Sequence, residues 1–193
     1  MNENLKSELL GIKAFLENAE GLKNTLRSAH TSTGRPESTA EHTWRLCLFA
    51  SVIGNYYAEI DLLRLVKMVI IHDLGEIING DIPAIDQDPS VDKNDSERVD
   101  FLQVIQPLPD AIKTEFIGLW DEYNAVATLE AKLAKGLDKL ETLLQHVQGK
   151  NPENFDYEFN LSYGQPYTGF DALITYFRAE IDKDTRSRIT PKT

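Results

Sequence analysis

Apolar residues recur every three or four positions along most of this chain, the spacing of helices that each bury one face. Leu5, Leu9, Ile12, Phe15, Leu16, Ala19, Leu22 and Leu26 mark a first helical stretch, which Gly11 weakens and Gly21 can split in two. A polar loop from His30 to Pro36 follows. Ser38-Thr39-Ala40-Glu41 then has the form of a capping box, with Ser38 at the N-cap and Glu41 three residues on. It opens a helix striped by Leu46, Phe49, Ala50, Ile53 and Tyr57. Asp61 is placed to cap the next helix, whose Leu62, Leu65, Val66, Val69 and Ile70 run on into His72-Asp73. Asn79-Gly80 closes that helix, because both residues tolerate left-handed backbone.

The stretch from Pro83 to Asp95 is acidic and turn-rich, which predicts a surface loop. A short helix from about Ser96 to Gln106 is stopped by Pro107, and another starts near Pro109-Asp110 and carries Phe116, Leu119, Trp120 and Tyr123. The strongest pattern lies between Thr128 and Gln148. There Leu129, Leu133, Leu137, Leu140, Leu144 and Val147 form one stripe, with Gly149 just past the end. The segment from Asn151 to Gly169 is aromatic and irregular, and reads as an ordered loop packed over the bundle. A last helix, roughly Asp171 to Asp182, precedes a polar tail expected to be poorly ordered. The pattern contains no convincing strand pair and no internal repeat. It predicts an all-α helical bundle, a single domain over residues 1–193. Its core spans about 22–148, followed by an aromatic loop and helix over 150–182 and a tail over 183–193.

A chain of 193 residues is long enough for one full hydrophobic core. Its net charge of -11 disfavours nucleic acid and anionic membranes as partners. A small phosphate ester stays open, since a bound divalent cation reverses the local field. The single cysteine, Cys47, excludes an intrachain disulfide, suits a reducing compartment and reads as core filler. Met1-Asn2-Glu3-Asn4 lacks the basic and apolar regions of a signal peptide, and no apolar run approaches the roughly 20 residues that cross a bilayer. These features predict a cytoplasmic protein.

His72, Asp73 and Glu76 fall within little more than one helical turn. An imidazole beside a carboxylate is a mixed nitrogen and oxygen donor set suited to a divalent transition metal. A second carboxylate one turn on can hold a water without itself being a ligand. The plain alternative is a common dipeptide beside a solvated glutamate. His42 sits in the first turn of its helix, where the macrodipole does not favour a cation. Alone it is a core or surface imidazole as readily as a ligand. His146 lies in a last turn, where an imidazolium is favoured, and His30 lies in a polar loop, open to solvation. Asp138 adjoins the Leu137 and Leu140 stripe, so it needs a partner to offset desolvation. That partner is Lys135, Lys139 or a metal.

His42, then His72-Asp73, then Asp138 on a later helix resemble the H…HD…D signature of HD-domain phosphohydrolases. Leu22-Lys23 with Arg27, Arg35-Pro36-Glu37-Ser38-Thr39-Ala40-Glu41-His42, His72-Asp73-Leu74-Gly75-Glu76 with Asp81, Leu119-Trp120-Asp121-Glu122-Tyr123 and Glu130-Ala131-Lys132 with Asp138-Lys139 occur in order. Together they resemble the small branch of that family that contains bacterial 5'-deoxynucleotidases, over about Leu22 to Leu144. The resemblance implies that His42, His72, Asp73 and Asp138 bind one divalent metal. It further implies that Glu76 handles the attacking water, Asp81 lies near the sugar and Arg27 near the phosphate. The chain departs from the family after Arg27, where a Trp is usual and Ser28-Ala29-His30 stand instead. Between Asp73 and Asp138 there is no further histidine to hold a second metal, which favours a mononuclear site.

The expected activity is therefore a metal-dependent phosphomonoesterase acting on (deoxy)nucleoside 5'-monophosphates. Mn, Co, Ni, Fe, Zn and Mg all suit the donor set. The partner is then a small nucleotide, with neither nucleic acid nor membrane, and a homodimer is compatible with this reading. The alternatives are a nucleotide-sensing or scaffold protein with a structural metal, and an HD hydrolase of another phosphorylated nucleotide.

Overall fold

The computed structural model describes residues 1–83 and 93–189. It is an α-helical bundle with one short hairpin. In chain order the elements are α1 (Glu3–Ala19), β1 (Leu26–His30), β2 (Pro36–Ser38), α2 (Thr39–Ile53), α3 (Leu62–Ile71), α4 (Glu76–Asn79), α5 (Lys93–Ile105), α6 (Asp110–Ala125), α7 (Leu129–Gln148), α8 (Tyr157–Asn160) and α9 (Ala172–Arg188). Local chemistry sets most of the starts. Asn2, Asp61, Thr128, Asp156 and Asp171 each accept the amide three residues on at the N-cap of α1, α3, α7, α8 and α9.

The leucine-striped α7 is the axis of the bundle. It packs against α2, α3, α6, α9 and β1, and Leu133, Leu137, Leu140 and Leu143 are fully buried. Buried positions run almost all round this helix, and they include Asp138, Glu141, Thr142, Gln145 and His146. A central helix that keeps polar residues on its buried surface must aim them at partners or at a cavity. Cys47 is half-buried against the core, and burial pushes its thiol up to about 11, which suits the filler role and not a nucleophile. No helix among the described residues is long and apolar enough to cross a membrane.

Three local expectations need correction. The first helical stretch ends at Ala19, and after one 3-10 turn over Glu20–Lys23 the chain becomes β1. β1 pairs antiparallel with β2, Leu26 opposite Ser38 and His30 opposite Pro36. Leu22 is buried, whereas Leu26, four residues on, is 57% exposed, so the helical spacing between them was coincidental. At the other end, residues 183–188 continue α9 and are not a tail. Ile181 and Thr185 keep one face buried, and Arg188 Nη2 donates to the Val147 carbonyl at 2.5 Å. Finally, most of the expected Pro83–Asp95 loop lies outside the described residues, and Lys93 already opens α5.

Candidate metal centre

The capping box forms as its residues dictate. Ser38 Oγ accepts from the Glu41 amide at 3.3 Å, and Glu41 Oε2 accepts from the Ser38 amide at 2.9 Å. This anchors the first turn of α2 and carries His42 into the interior, where it is fully buried. Arg35 grips Glu41 with Nη1 at 2.9 Å and Nη2 at 2.5 Å. That pairing occupies the exposed Arg35 side chain, which does not line the cavity.

The helix carrying His72 does not run on to Asn79 as its pattern predicts. α3 stops at Ile71, and bonds from Leu74 N to Ile71 O and from Glu76 N to Asp73 O close a series of tighter turns. The Val69 carbonyl, which a continuing α-helix would bond to the Asp73 amide, accepts from His72 Nδ1 at 2.8 Å. Glu76 then opens the four-residue α4, and Gly80, at φ 82, takes the chain out towards Asp81. A regular helical face is thus replaced by a knuckle that turns His72, Asp73, Glu76 and Asp81 into one cavity.

The donor atoms converge there. His72 Nε2 lies 3.0 Å from Asp73 Oδ2 and 3.9 Å from Asp138 Oδ1. His42 Nε2 lies 3.3 Å from the same Asp138 oxygen and 3.7 Å from Asp73 Oδ2. Ligands held about 2.1 Å from a single ion stand roughly 3–4 Å from one another, so these separations fit one cation. Both Nε2 atoms are buried and have no hydrogen-bond partner among the described residues. Their Nδ1 atoms, by contrast, are engaged, His72 with the Val69 carbonyl and His42 with the Glu141 carboxylate. An Nδ1–H given to an acceptor puts the lone pair on Nε2, the tautomer that a metal needs. The donor set therefore fits a divalent cation.

The carboxylates are oriented in the same manner. Asp138 Oδ2 accepts from Tyr123 Oη at 2.8 Å and pairs with Lys139 Nζ at 2.9 Å, which leaves Oδ1 for the histidines. Glu141 takes Arg45 Nε at 2.5 Å besides the His42 ring. Burial and the Arg27 guanidinium oppose charge on His42, yet Glu141 and Asp138 outweigh them and push it up to about 10. Surroundings that hold a proton this firmly favour a competing metal cation for the same electrostatic reason. Burial opposes ionised Asp73 as well, but His72 and His42 hold it well below the usual carboxylate range. A second cluster, Glu37, His42 and Glu141, also has metal-binding residue types. Its cation positions are taken by guanidinium groups: Arg45 is on Glu141, and Arg27 Nε lies 3.6 Å from Glu37.

Arg27, aimed inward by β1, donates Nη2 to Thr142 Oγ1 at 3.0 Å and holds Nη1 3.9 Å from Asp73. Burial works against its charge, and the carboxylates of Asp81 and Asp73 more than restore it. Glu76 accepts from Thr39 Oγ1 at 3.0 Å. Burial first, then Asp73 and Asp81, push its carboxyl up to about 9. A divalent cation beside it works in the opposite direction and favours the carboxylate. Arg27, His72, Asp73, Glu76, Asp81 and Asp138 all line a single cavity of about 580 Å³.

Two histidines depart from expectation. His146 is buried and neutral: burial pushes it down to about 4, and Nδ1 bonds Asn160 Oδ1 at 3.0 Å. Desolvation outweighs the helix dipole there. His30 is half-buried on β1 and lines the cavity instead of lying open to solvent. Lys139, one of the partners expected for Asp138, pairs with it, whereas sequence reasoning assigned no role to Glu141 or Tyr123, which also orient the centre. Glu141 had one legible signal, since it stands three residues after Asp138 on the same helical face. The aromatic loop contributes Phe155, Phe159, Tyr163 and Tyr167 to the cavity wall, a role its composition alone does not reveal.

Residues 19–174 match the HD domain family model. The human protein named 5'-deoxynucleotidase HDDC2 is 35% identical over 142 residues, 72% of this chain and 69% of its own length. A Saccharomyces cerevisiae 5'-deoxynucleotidase is 29% identical over 75% of this chain and 64% of its own. Among solved structures, a predicted metal-dependent phosphohydrolase from Magnetospirillum magnetotacticum superposes with a TM-score of 0.82 at 28% identity. That match covers 96% of this chain and 97% of the other. The motif order, the helical bundle that brings the motifs together and a family match over most of its length agree, and this chain belongs to the HD domain family.

Proposed function

We propose that this protein is a metal-dependent phosphomonoesterase that releases phosphate from deoxynucleoside 5'-monophosphates, acting as a single domain in the cytoplasm. The observation that carries the reading is the pair of buried His42 and His72 Nε2 atoms, without a hydrogen-bond partner among the described residues, facing Asp73 and Asp138 beside a cavity that Arg27 also lines. The similarity to proteins named 5'-deoxynucleotidases supports the substrate class. In this reading His42, His72, Asp73 and Asp138 hold one divalent ion. When bound, the ion polarises a phosphoryl oxygen and makes water acidic enough to attack. Arg27 pairs with the phosphate by charge-assisted bonds. Glu76, beside the ligand cluster and tethered by Thr39, orients the attacking water and accepts its proton. Water oxygen bonds to phosphorus, the bond from phosphorus to the 5'-oxygen breaks, and the proton that Glu76 accepted passes to the 5'-oxygen of the leaving nucleoside. Asp81, at the cavity edge, contacts the sugar.

A phosphate-release screen over nucleoside mono-, di- and triphosphates, run with Mn²⁺, Co²⁺, Ni²⁺, Fe²⁺, Zn²⁺ and Mg²⁺, tests the reading. Release from monophosphates is expected. Silence with every ion favours a sensor with a structural metal, and release from triphosphates alone favours another HD hydrolase. The assignment of Arg27 has its own test. Arg27→Lys keeps the charge but loses the planar fork that matches a phosphate and the Thr142 bond. It should raise KM for monophosphates about tenfold, the order expected when a charged hydrogen bond is lost. Unchanged kinetics would move the phosphate anchor elsewhere.

A further inference from the structure

Five residues of α7 line the cavity: Lys135, Asp138, Lys139, Thr142 and His146. Their spacing puts them along one face of the helix. Asp138 belongs to the metal centre, and His146 stands eight residues on, about 12 Å along the axis. That distance is comparable with the span of a nucleoside monophosphate from its phosphorus to the far edge of its base. What stands at the far end is therefore informative.

It is a buried polar pair with unused capacity. Asn160 is 1% exposed, and its Oδ1 takes His146 Nδ1 at 3.0 Å. Its Nδ2 is buried with no hydrogen-bond partner among the described residues, an arrangement that is costly unless something else fills it. With the ring proton given to Asn160, His146 Nε2 is an acceptor. An unused amide donor and an imidazole acceptor thus belong to the same bonded pair. Each of the common nucleobases carries an acceptor and a donor side by side on its pairing edge. Phe155 packs against the His146 ring at 4.9 Å between centroids, Phe159 lies 5.8 Å from Tyr163, and both phenylalanines are half-buried in the cavity wall.

The wall is also held rigidly. Arg178 on α9, only 6% exposed, donates Nη1 to the Tyr163 carbonyl at 2.6 Å and Nη2 to the Asn160 and Leu161 carbonyls at 3.0 and 2.9 Å. Its Nε is paired with Asp182 at 2.7 Å. At Gly136 of α7, a Cβ would stand 2.9 Å from the Tyr167 carbonyl, so only glycine admits this close approach. A segment tied down in this way presents side chains in fixed positions, as a recognition surface requires.

We propose that the segment from Asn154 to Tyr167 is the nucleobase-binding wall of the cavity. Phe155 and Phe159 lie against the base, and the His146–Asn160 pair hydrogen-bonds to its edge. The inference rests on the nucleotide reading above and names the part of the substrate that the metal centre does not touch. Arg178 is a positioning residue for this wall. Because each base offers a neighbouring acceptor and donor, the pair separates nucleotides from bare sugar phosphates more sharply than one base from another.

The test is a calorimetric titration of the Mn²⁺-loaded protein with deoxyadenosine 5'-monophosphate and with 2-deoxyribose 5-phosphate, with phosphate release followed alongside and KM used wherever turnover occurs. Wild type should prefer the nucleotide by at least about tenfold, the order expected of one base stacked on an aromatic ring. Asn160→Leu and Phe159→Leu should each collapse that preference towards unity, with melting temperature monitoring the fold. Phe159→Leu keeps an apolar side chain, so it carries the test if Asn160→Leu does not fold. Equal binding of the two ligands by wild type, or a preference that survives in both variants, overturns the wall. Selective binding of the nucleotide without hydrolysis sinks the phosphatase reading and leaves the wall standing. Hydrolysis of both ligands with equal KM does the reverse.

Discussion

Asp138→Ala should leave the protein without bound metal and lower its melting temperature by roughly 10 °C. Two separate losses contribute. Oδ1 faces both free histidine nitrogens, so removing it takes away the oxygen that bridges them. Oδ2 is the acceptor for the buried Tyr123 and the ion-pair partner of Lys139, which is partly buried. Removing one member of a buried, hydrogen-bonded ion pair costs about 3–5 kcal/mol. For a chain of this size each kcal/mol moves Tm by roughly 2–4 °C. His72→Ala should release the metal as well, with a smaller thermal shift, because the bonded partner it deserts is the Val69 carbonyl. Metal content by mass spectrometry and Tm by calorimetry, measured on the same preparations, check both statements. Full occupancy in both variants would rule out the four-ligand centre. An Asp138→Ala protein as stable as wild type would show that the Tyr123 and Lys139 bonds contribute nothing.

Glu76→Gln should lower turnover by on the order of 10²–10⁴-fold, the range for loss of a general base. Metal content and nucleotide affinity should stay close to wild type. Glu76 faces the cavity beside Asp73 and receives Thr39 Oγ1 on Oε2. The glutamine keeps size and the Thr39 bond through its carbonyl oxygen, but it does not accept a proton. A metal centre that activates water must leave a position open, and the four other candidates already complete the protein's share. Loss of metal in this variant would make Glu76 a ligand. Full activity would assign the proton to another group.

How much of this was legible beforehand follows from the range of the physics involved. The helix starts were written in adjacent residues. Ser38 and Glu41 close their capping box within one turn, and Asp61, Thr128 and Asp171 cap with side chains three residues from the amides they satisfy. The α7 stripe and the intrusion of Asp138 beside it were equally local, and they marked a helix that would be buried along with one costly carboxylate. Motif order made His42, His72, Asp73 and Asp138 candidates together.

Only the tertiary structure decided how those residues face one another. Glu141, which engages His42 Nδ1, is 99 positions away in the chain, and no periodicity reports such a contact. The end of α3 at Ile71 depends on the His72 ring taking a backbone carbonyl, a competition between side chain and helix that a hydrophobic pattern does not register. β1 was masked because Leu22 and Leu26 happen to share helical spacing, although only Leu22 reaches the core. His146 reads as an imidazolium from its place in a last turn and becomes neutral through burial against Asn160 and Phe155. The aromatic segment reads as a covering loop, and it is Arg178, reaching back from α9 to the carbonyls of Asn160, Leu161 and Tyr163, that makes it a wall of the cavity. Residue types and local spacing determined the helices and the supply of metal-binding groups. Long-range packing determined their protonation, their direction and the space they enclose, because desolvation and hydrogen-bond geometry depend on neighbours that are distant in the chain.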